Sequence, residues 1–237
     1  MKVLIVNNIG REGPGLLEEI LEENEIESYT YEYQKYKAFP SPGDYGAIFV
    51  FGGPDSANDE TDKMIEEIKG IKEFLAKGVP FFGICLGLQI MVKALGGTVK
   101  KNAIKEIGWR DPKGQIFKIY LTEEGKKDPI FEGINPEFEI FQLHGETVEL
   151  KPGLKLLGTG EYCNNQILKY GKNAYGFQGH IELSCDLFYN WIKEDEDLNR
   201  LGISQLEKDY RKVREKYESN GKRIIKNFLD VYVSKVK

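Results

Sequence analysis

The sequence predicts an α/β protein with a largely parallel sheet flanked by helices, to which antiparallel strands and a C-terminal helical extension are added. Two observations lead to this prediction. Over the first 97 residues short apolar runs alternate with amphipathic segments, which is typical of parallel strands covered by helices on both faces. From about residue 98 the chain contains short strand-like runs and turns, and after about Ser184 it becomes helical and heavily charged.

Four strands and three helices account for the first part of the chain. The apolar runs predict strands at 2–8, 27–33, 45–53 and 79–85. Apolar residues at helical spacing predict helices at 15–24, 59–78 and 88–97. Gly78 is expected to follow the end of the second helix, because glycine tolerates the left-handed backbone of a C-terminal cap.

The second part of the chain predicts shorter strands and hairpins that extend the same sheet. The candidates lie at 115–122, 138–145, 154–160 and 165–180. Turn sequences such as PKG, KPG and YGKN separate them. Short strands added to the sheet fit this pattern of short apolar runs and turns better than further helical crossovers do.

The C-terminal segment carries two apolar stripes at helical spacing. The first consists of Leu206, Tyr210, Val213 and Tyr217, and the second of Ile224, Ile225, Phe228 and Val231. The stripes predict helices packed on the main domain or on each other, with a dimer or partner surface as the alternative. We therefore divide the chain into a domain at 1–192 and a helical extension at 193–237.

Composition narrows the class of protein. The 237 residues are 41% hydrophobic, which is enough for a sizeable core, and the net charge of −5 offers no basic excess for nucleic acid or an anionic membrane. The first ten residues lack the longer apolar run of a signal peptide, and no apolar stretch is long enough to span a bilayer. Three cysteines without paired metal spacing fit a reducing cytoplasm. We expect a cytoplasmic protein without nucleic-acid or membrane partners.

Cys85 is set between two glycines in the stretch FFGICLGLQI, where a strand is expected to end and a helix to begin. This is the arrangement of a nucleophile elbow with sulfur in place of oxygen. Glycine at 83 and 87 removes clashes at a sharp turn, and a helix N-terminus favours thiolate over thiol. The alternative is a small buried cysteine packed beside glycines. Cys163 and Cys185 lack such a setting.

A cysteine nucleophile needs a base and an acid that orients it, and the chain has two histidines. His180 precedes Glu182 by two residues, so in an extended segment both side chains face the same way and Glu182 can hold the imidazole. His144 is related to Glu146 in the same manner. Two His-x-Glu pairs form an alternative metal site, and two core histidines without chemistry are a further alternative.

These residues carry a family resemblance. GICLGLQ at 83–89, with GFQGHIE at 176–182, resembles the pattern of the class I (triad) glutamine amidotransferases, and FGGPDS at 51–56 is similar to the loop that supplies their second oxyanion N–H. The segments KEIGW and FQLHGET and the hairpin before His180 are similar to the branch of free-standing proteins that resemble the amidotransferase half of GMP synthase. The resemblance covers roughly residues 1–192 and implies a flavodoxin-like sheet.

The resemblance implies a catalytic triad of Cys85, His180 and Glu182. Cys85 would attack the side-chain amide carbon of glutamine, and His180, oriented by Glu182, would protonate the departing ammonia and then activate water. The backbone N–H groups of Gly53 and Leu86 would form the oxyanion hole.

The resemblance also implies a substrate-binding set. Gln89 matches the family glutamine that contacts the substrate amide, and the segment at His144-Gly145 matches the loop that holds the other end of glutamine. The sequence departs from the family on either side of the catalytic histidine. Gly179 stands where phenylalanine is usual and Ile181 where proline is usual; loss of the aromatic ring is expected to open space beside the imidazole or to loosen it.

The leading hypothesis is an amidotransferase that takes L-glutamine and supplies ammonia to a separate synthetase subunit, without a metal or cofactor. The chain has no phosphate-binding glycine loop followed by Lys-Ser/Thr. A γ-glutamyl peptide or conjugate hydrolase and a non-catalytic binding protein on the same fold are the alternatives. The acceptor, the product and assembly into a homo-oligomer are left open.

Overall fold

The computed structural model describes residues 2–33 and 38–233. The strands are β1 Val3–Val6, β2 Ser28–Tyr31, β3 Ala47–Val50, β4 Phe81–Ile84, β5 Val99–Gly108, β6 Lys118–Leu121, β7 Glu137–Glu139, β8 Gln142–Val148, β9 Leu154–Thr159, β10 Ile167–Tyr170 and β11 Ala174–Phe177. The helices are α1 Leu16–Glu23, α2 Asp62–Ala76, α3 Leu86–Ala94, α4 Cys185–Glu194, α5 Glu196–Leu201 and α6 Ile203–Tyr232. None of the helices in this part of the chain combines the length and the apolarity needed to cross a membrane.

A nine-stranded sheet forms the centre of the molecule, in the order β2-β1-β3-β4-β11-β10-β9-β6-β7. Five neighbouring strands run parallel to one another, namely β2, β1, β3, β4 and β11. The other four, β10, β9, β6 and β7, each pair antiparallel with the strand before them in this order. This confirms the predicted fold class. Within the parallel part, β1, β3, β4 and β11 are buried on both faces, as expected where helices cover a sheet, whereas the edge strand β2 is partly exposed.

The second part of the chain differs from the prediction in one respect. Strand β8, which contains His144, does not extend the main sheet but pairs with β5 in a separate two-stranded sheet. The strand β5 was not predicted, because only Val99, Glu106 and Gly108 of its ten residues are buried, which leaves no apolar alternation in the sequence. This second sheet carries His144-Gly145 to the carboxyl end of β4.

The predicted apolar stripes of the C-terminal segment lie on the one long helix α6. Leu206, Tyr210, Val213 and Tyr217 are buried with aromatic residues of α4 and with Trp109. Ile224, Ile225 and Phe228 enter the core under the sheet, whereas Val231 is only half-buried. The ring of Phe228 packs edge-on against Phe49 of β3 and Phe82 of β4, with centroid distances of 5.4 and 5.1 Å. The division at residue 193 stays a prediction, but α6 shares the core of the sheet.

We expect Phe228→Ala to lower the free energy of unfolding by about 3–5 kcal/mol, since it removes a buried ring and leaves a cavity beneath two central strands. Urea unfolding followed by circular dichroism measures this. Ile65→Ala on α2 is the matched control, because that side chain is 55% exposed, and it should change stability by less than about 0.5 kcal/mol. Equal effects of the two substitutions would contradict a role of α6 in the core.

A buried carboxyl group supports the loop that follows β1. Glu67 of α2 is 2% exposed and accepts a hydrogen bond of 3.0 Å from Asn8 Nδ2, which also donates to the Phe51 carbonyl oxygen. Burial raises the pKa of Glu67 from 4.5 to about 7, although Asn8 and Lys63 partly oppose it. Asn8 in turn packs against Gly53. This contact links α2 to the end of β3.

The raised pKa of Glu67 makes stability depend on pH. Between pH 4.5 and about 7 the folded state holds a proton at Glu67 that the unfolded chain has lost, so this group's contribution to stability falls as pH rises through that range. As pH rises from 4.5 to 8, we expect the free energy of unfolding of Glu67→Gln to increase by about 3 kcal/mol relative to that of the wild type. Urea unfolding at several pH values tests this, with exposed Glu66→Gln as control. A difference that stays constant with pH would contradict it.

Candidate active site

Cys85 lies at the sharp turn between β4 and α3. Its backbone has φ 53° and ψ −107°, a left-handed conformation that is rare for residues other than glycine. The Cys85 N–H donates to the Phe177 carbonyl oxygen at 2.7 Å. A Cβ atom on Gly87 would lie 2.1 Å from the Val50 carbonyl oxygen, and one on Gly83 would lie 2.6 Å from the Gly87 carbonyl carbon. Both glycines are therefore required by close backbone contacts, as the sequence predicts.

His180 and Glu182 follow β11, the parallel neighbour of β4. His180 Nδ1 lies 2.7 Å from Glu182 Oε1, and both side chains are buried. Nε2 has no hydrogen-bond partner among the described residues. Burial alone lowers the pKa of His180, but the Glu182 carboxylate and the nearby Cys85 outweigh it and raise the pKa well above its ordinary value. The imidazole is thus held by Glu182 with its other nitrogen free for chemistry.

Two helices fix the segment that carries His180 and Glu182. The Leu16 N–H at the start of α1 donates to the Glu182 carbonyl oxygen at 2.8 Å. This approach needs glycine at position 15, which has φ +50° and where a Cβ would lie 2.1 Å from the same oxygen. From α6, the Tyr217 hydroxyl donates to the His180 carbonyl oxygen at 2.9 Å. The C-terminal helix therefore holds the backbone of the candidate base.

The residues around the imidazole correct one expectation. A Cβ on Gly179 would lie 2.6 Å from Ile140 Cγ1 and 2.7 Å from Gln142 Oε1, so the prediction that Gly179 leaves open space is wrong. The aromatic contact comes from elsewhere, because Trp191 packs edge-on against His180 with a centroid distance of 4.8 Å. The ring is therefore enclosed without the usual phenylalanine.

Most of the residues predicted from the sequence line one cavity of about 410 Å³. The lining includes Gly53, Cys85, Leu86, Gln89, His144, Gly145 and His180. Glu182 lies behind the imidazole, outside this lining. Within the cavity Cys85 Sγ is 3.9 Å from the Leu143 carbonyl oxygen, and Gln178 Nε2 is 3.8 Å from Cys85 Sγ. The structure thus brings the predicted set together.

His144 takes part in a buried network beside the cavity. Its Nδ1 lies 2.9 Å from the Glu146 carbonyl oxygen, which only accepts, so Nδ1 carries a hydrogen. Its Nε2 lies 2.9 Å from Glu106 Oε2, and Gln166 Nε2 donates to the same oxygen. The Glu106–His144 contact therefore needs one shared proton. This network fixes β8 and directs both ring nitrogens away from the role of base.

The ligand atoms of Glu106, His144 and Cys163 lie within 4.8 Å of one another, the spacing of a metal site. Burial, however, raises the pKa of the Cys163 thiol to about 11, and the sulfur is 3.1 Å from Thr147 Oγ1. Together with the contacts of Glu106 to His144 and Gln166, these side chains form a hydrogen-bonded network. His180 and Glu182 do not belong to the metal-spaced group found among the described residues.

Sequence reasoning missed four acidic side chains at the site. Glu12 lines the cavity from the loop after β1, and Asp195 and Asp197 line it from the junction of α4 and α5. Glu106, the partner of His144, comes from the unpredicted strand β5. Glu12 could have been found, because loops that follow parallel strands meet at the carboxyl edge of the sheet where ligands bind. The other three depend on long-range packing.

Comparison with known proteins agrees with this geometry. The profile of the family Glutamine amidotransferase class-I matches residues 16–194. A glutamine amidotransferase-like protein of Salmonella typhimurium, YfeJ, is 28% identical over 162 residues, which is 66% of this chain and 65% of that protein. A GMP synthase [glutamine-hydrolyzing] of Natranaerobius thermophilus is 32% identical over 163 residues, 67% of this chain. The chain spans only 28% of that GMP synthase.

A solved structure extends the similarity to the C-terminal helices. The crystal structure of a glutamine amidotransferase from Thermotoga maritima has a TM-score of 0.83 and 28% sequence identity, and the alignment covers 98% of this chain and 97% of that one. The family profile matches well over half of the chain. The chain therefore belongs to the class-I glutamine amidotransferases.

Proposed function

We propose that this protein hydrolyses the side-chain amide of L-glutamine with Cys85 as nucleophile, His180 as acid and base, and Glu182 as the residue that orients His180. One observation supports it above the others. Cys85, in a left-handed turn at the start of a helix, shares a cavity with His180, and His180 Nδ1 lies 2.7 Å from the buried Glu182. Side chains packed at random do not combine backbone strain, a free imidazole nitrogen and a buried orienting carboxylate.

The proposed reaction has two steps. The Cys85 sulfur attacks the γ-carbonyl carbon, the C–N bond breaks, and the nitrogen leaves as ammonia with a proton from His180. Water then loses a proton to His180 and attacks the thioester carbon, the C–S bond breaks, and glutamate leaves. A raised pKa at His180 suits this sequence, because the imidazole must hold the thiol proton until the leaving nitrogen takes it.

The oxyanion formed in each step needs donors near the sulfur. We assign this role to the backbone N–H groups of Gly53 and Leu86, whose residues lie side by side in the cavity lining. Gln89 is assigned to the substrate amide and the His144-Gly145 segment to the other end of glutamine. His144 acts there through its backbone, since its ring is engaged with Glu106.

We further propose that the ammonia passes to a separate synthetase in a reducing compartment that keeps Cys85 a thiol. The relationship to a GMP synthase supports an acceptor of that kind. The second candidate is a γ-glutamyl amide hydrolase with the same chemistry. The cavity of about 410 Å³ favours it, because pockets of this size accommodate ligands larger than a single amino acid.

Cys85→Ala should abolish glutamate release from glutamine, by at least about a thousandfold, because the nucleophile is lost. The purified protein is incubated with glutamine, and glutamate is measured enzymatically. Cys185→Ala is the control, since that thiol is half-buried on α4 and does not line the cavity; it should retain activity. Release that persists in Cys85→Ala would refute the proposed nucleophile.

Glu182→Gln should slow alkylation of Cys85 by iodoacetamide at pH 6–7 about tenfold or more. The carboxylate raises the pKa of His180, so without it the imidazole loses its proton at lower pH and no longer stabilises a thiolate near neutrality. Peptide-level mass spectrometry follows Cys85, and Cys185 in the same samples is the internal control. Unchanged alkylation of Cys85 would mean that Glu182 does not act on it through His180.

A further inference from the structure

Glu12 is a buried carboxyl group in the catalytic cavity that the proposed mechanism does not use. It follows β1, is 5% exposed, and lines the cavity with Cys85 and His180. Its Oε2 has no hydrogen-bond partner in the part of the chain that the structure describes. Burial raises the pKa of Glu12 from 4.5 to about 7, with His180 opposing and Glu182 adding to the rise. An unpartnered buried carboxyl group is costly and calls for a ligand.

Glu12 lies close to the imidazole of His180, which is assigned to the leaving group of the substrate. A Cβ on Gly52 would lie 2.3 Å from Glu12 Oε2 and 3.3 Å from His180 Cε1. The carboxyl group of Glu12 and the Cε1 edge of the imidazole therefore both lie close to the Cα atom of Gly52. Cε1 is bonded to both ring nitrogens: Nδ1, which contacts Glu182, and Nε2, which protonates the leaving amine in the proposed mechanism. Glu12 thus lies in the cavity close to the imidazole that is assigned to the leaving amine.

Most of the other charges of the cavity are already paired. Arg11 Nη2 lies 2.8 Å from Asp195 Oδ2, and Lys105 pairs with Asp197. Among the described residues these are the basic side chains that line the cavity, against five acidic ones that include Glu12. Asp55 pairs with Lys63 at 2.6 Å, and Glu146 accepts a hydrogen bond from Ser56. Among the described residues of the lining, Glu12 and Glu146 therefore lack a basic partner, and Glu12 is the one with a buried oxygen that has no hydrogen-bond partner.

We propose that the cavity selects γ-glutamyl amides whose leaving amine carries a second, positively charged nitrogen, as a diamine does, and that Glu12 binds that nitrogen. This inference rests on the proposed thiol hydrolysis. A cationic group gives Glu12 a charge-assisted hydrogen bond, whereas the carboxylate of a γ-glutamyl peptide is repelled by the acidic lining. The C–N bond breaks as with glutamine, the proton from His180 goes to the departing nitrogen, water releases glutamate from the thioester, and the free diamine leaves.

The test compares four substrates by glutamate release: glutamine, γ-glutamylethylamide, γ-glutamyl-1,4-diaminobutane and γ-glutamylglycine. We expect kcat/KM for the diaminobutane derivative to exceed that for the ethylamide by about tenfold or more, with the glycine derivative slowest. Glu12→Gln has the same shape without the charge. It should bring the ratio of kcat/KM for the diaminobutane derivative to kcat/KM for the ethylamide close to one. Glu66→Gln removes an exposed charge on α2, outside the cavity lining, and should preserve the ratio.

Two results would overturn the inference: a wild-type protein without preference for the cationic amide, or a preference that Glu12→Gln leaves intact. Hydrolysis of glutamine in either case would show that the proposed function stands while the inference fails. If the wild type hydrolyses none of the four, the proposed function fails. Calorimetry then compares binding of the diaminobutane derivative to Cys85→Ala and to Cys85→Ala with Glu12→Gln. Weaker binding to the double variant supports cation recognition by Glu12, and equal binding refutes it. Thermal unfolding checks that each variant is folded.

Discussion

The left-handed turn at Cys85 is the constraint on which the rest of the site depends. Strand β4 lies between β3 and β11 in the middle of the sheet, and α3 leaves it so steeply that the backbone at Gly87 contacts the Val50 carbonyl oxygen. The position of the sulfur is therefore set by the backbones of central strands rather than by side-chain packing, which would tolerate small shifts. Every other group of the site must be brought to that fixed point, and the parallel neighbour β11 does so for His180.

The contacts of His180 show that the support of the candidate active site extends into α6. The carbonyl oxygen of His180 is bound by Tyr217, and that of Ile181 contacts the backbone of α6 at Gly221, where a Cβ would lie only 2.2 Å away. The same helix reaches the core through Phe228. A helix that appears from the sequence to be an addition to the domain thus supports the segment of the proposed base.

The parts that could be predicted from the sequence are those with a local cause. The alternation of buried strands and amphipathic helices, the glycines around Cys85 and the spacing of His180 and Glu182 all follow from rules that act over a few residues. The pairing of β5 with β8, the Glu106–His144 contact and the position of Glu12 depend on segments far apart in the chain. The Gly179 expectation failed for the same reason, because Ile140 and Gln142 fill that space from another part of the chain.

The mouth of the cavity is built differently from its floor. Arg11–Asp195 and Lys105–Asp197 connect the loop after β1 and the strand β5 to the α4–α5 junction, whereas the floor consists of backbone contacts and packed rings. Ion pairs that reach solvent weaken as salt screens them over about 10 Å at 0.1 M, but close backbone contacts do not. Ionic strength therefore bears more on these two ion pairs than on the backbone contacts that hold Cys85 and the segment of His180.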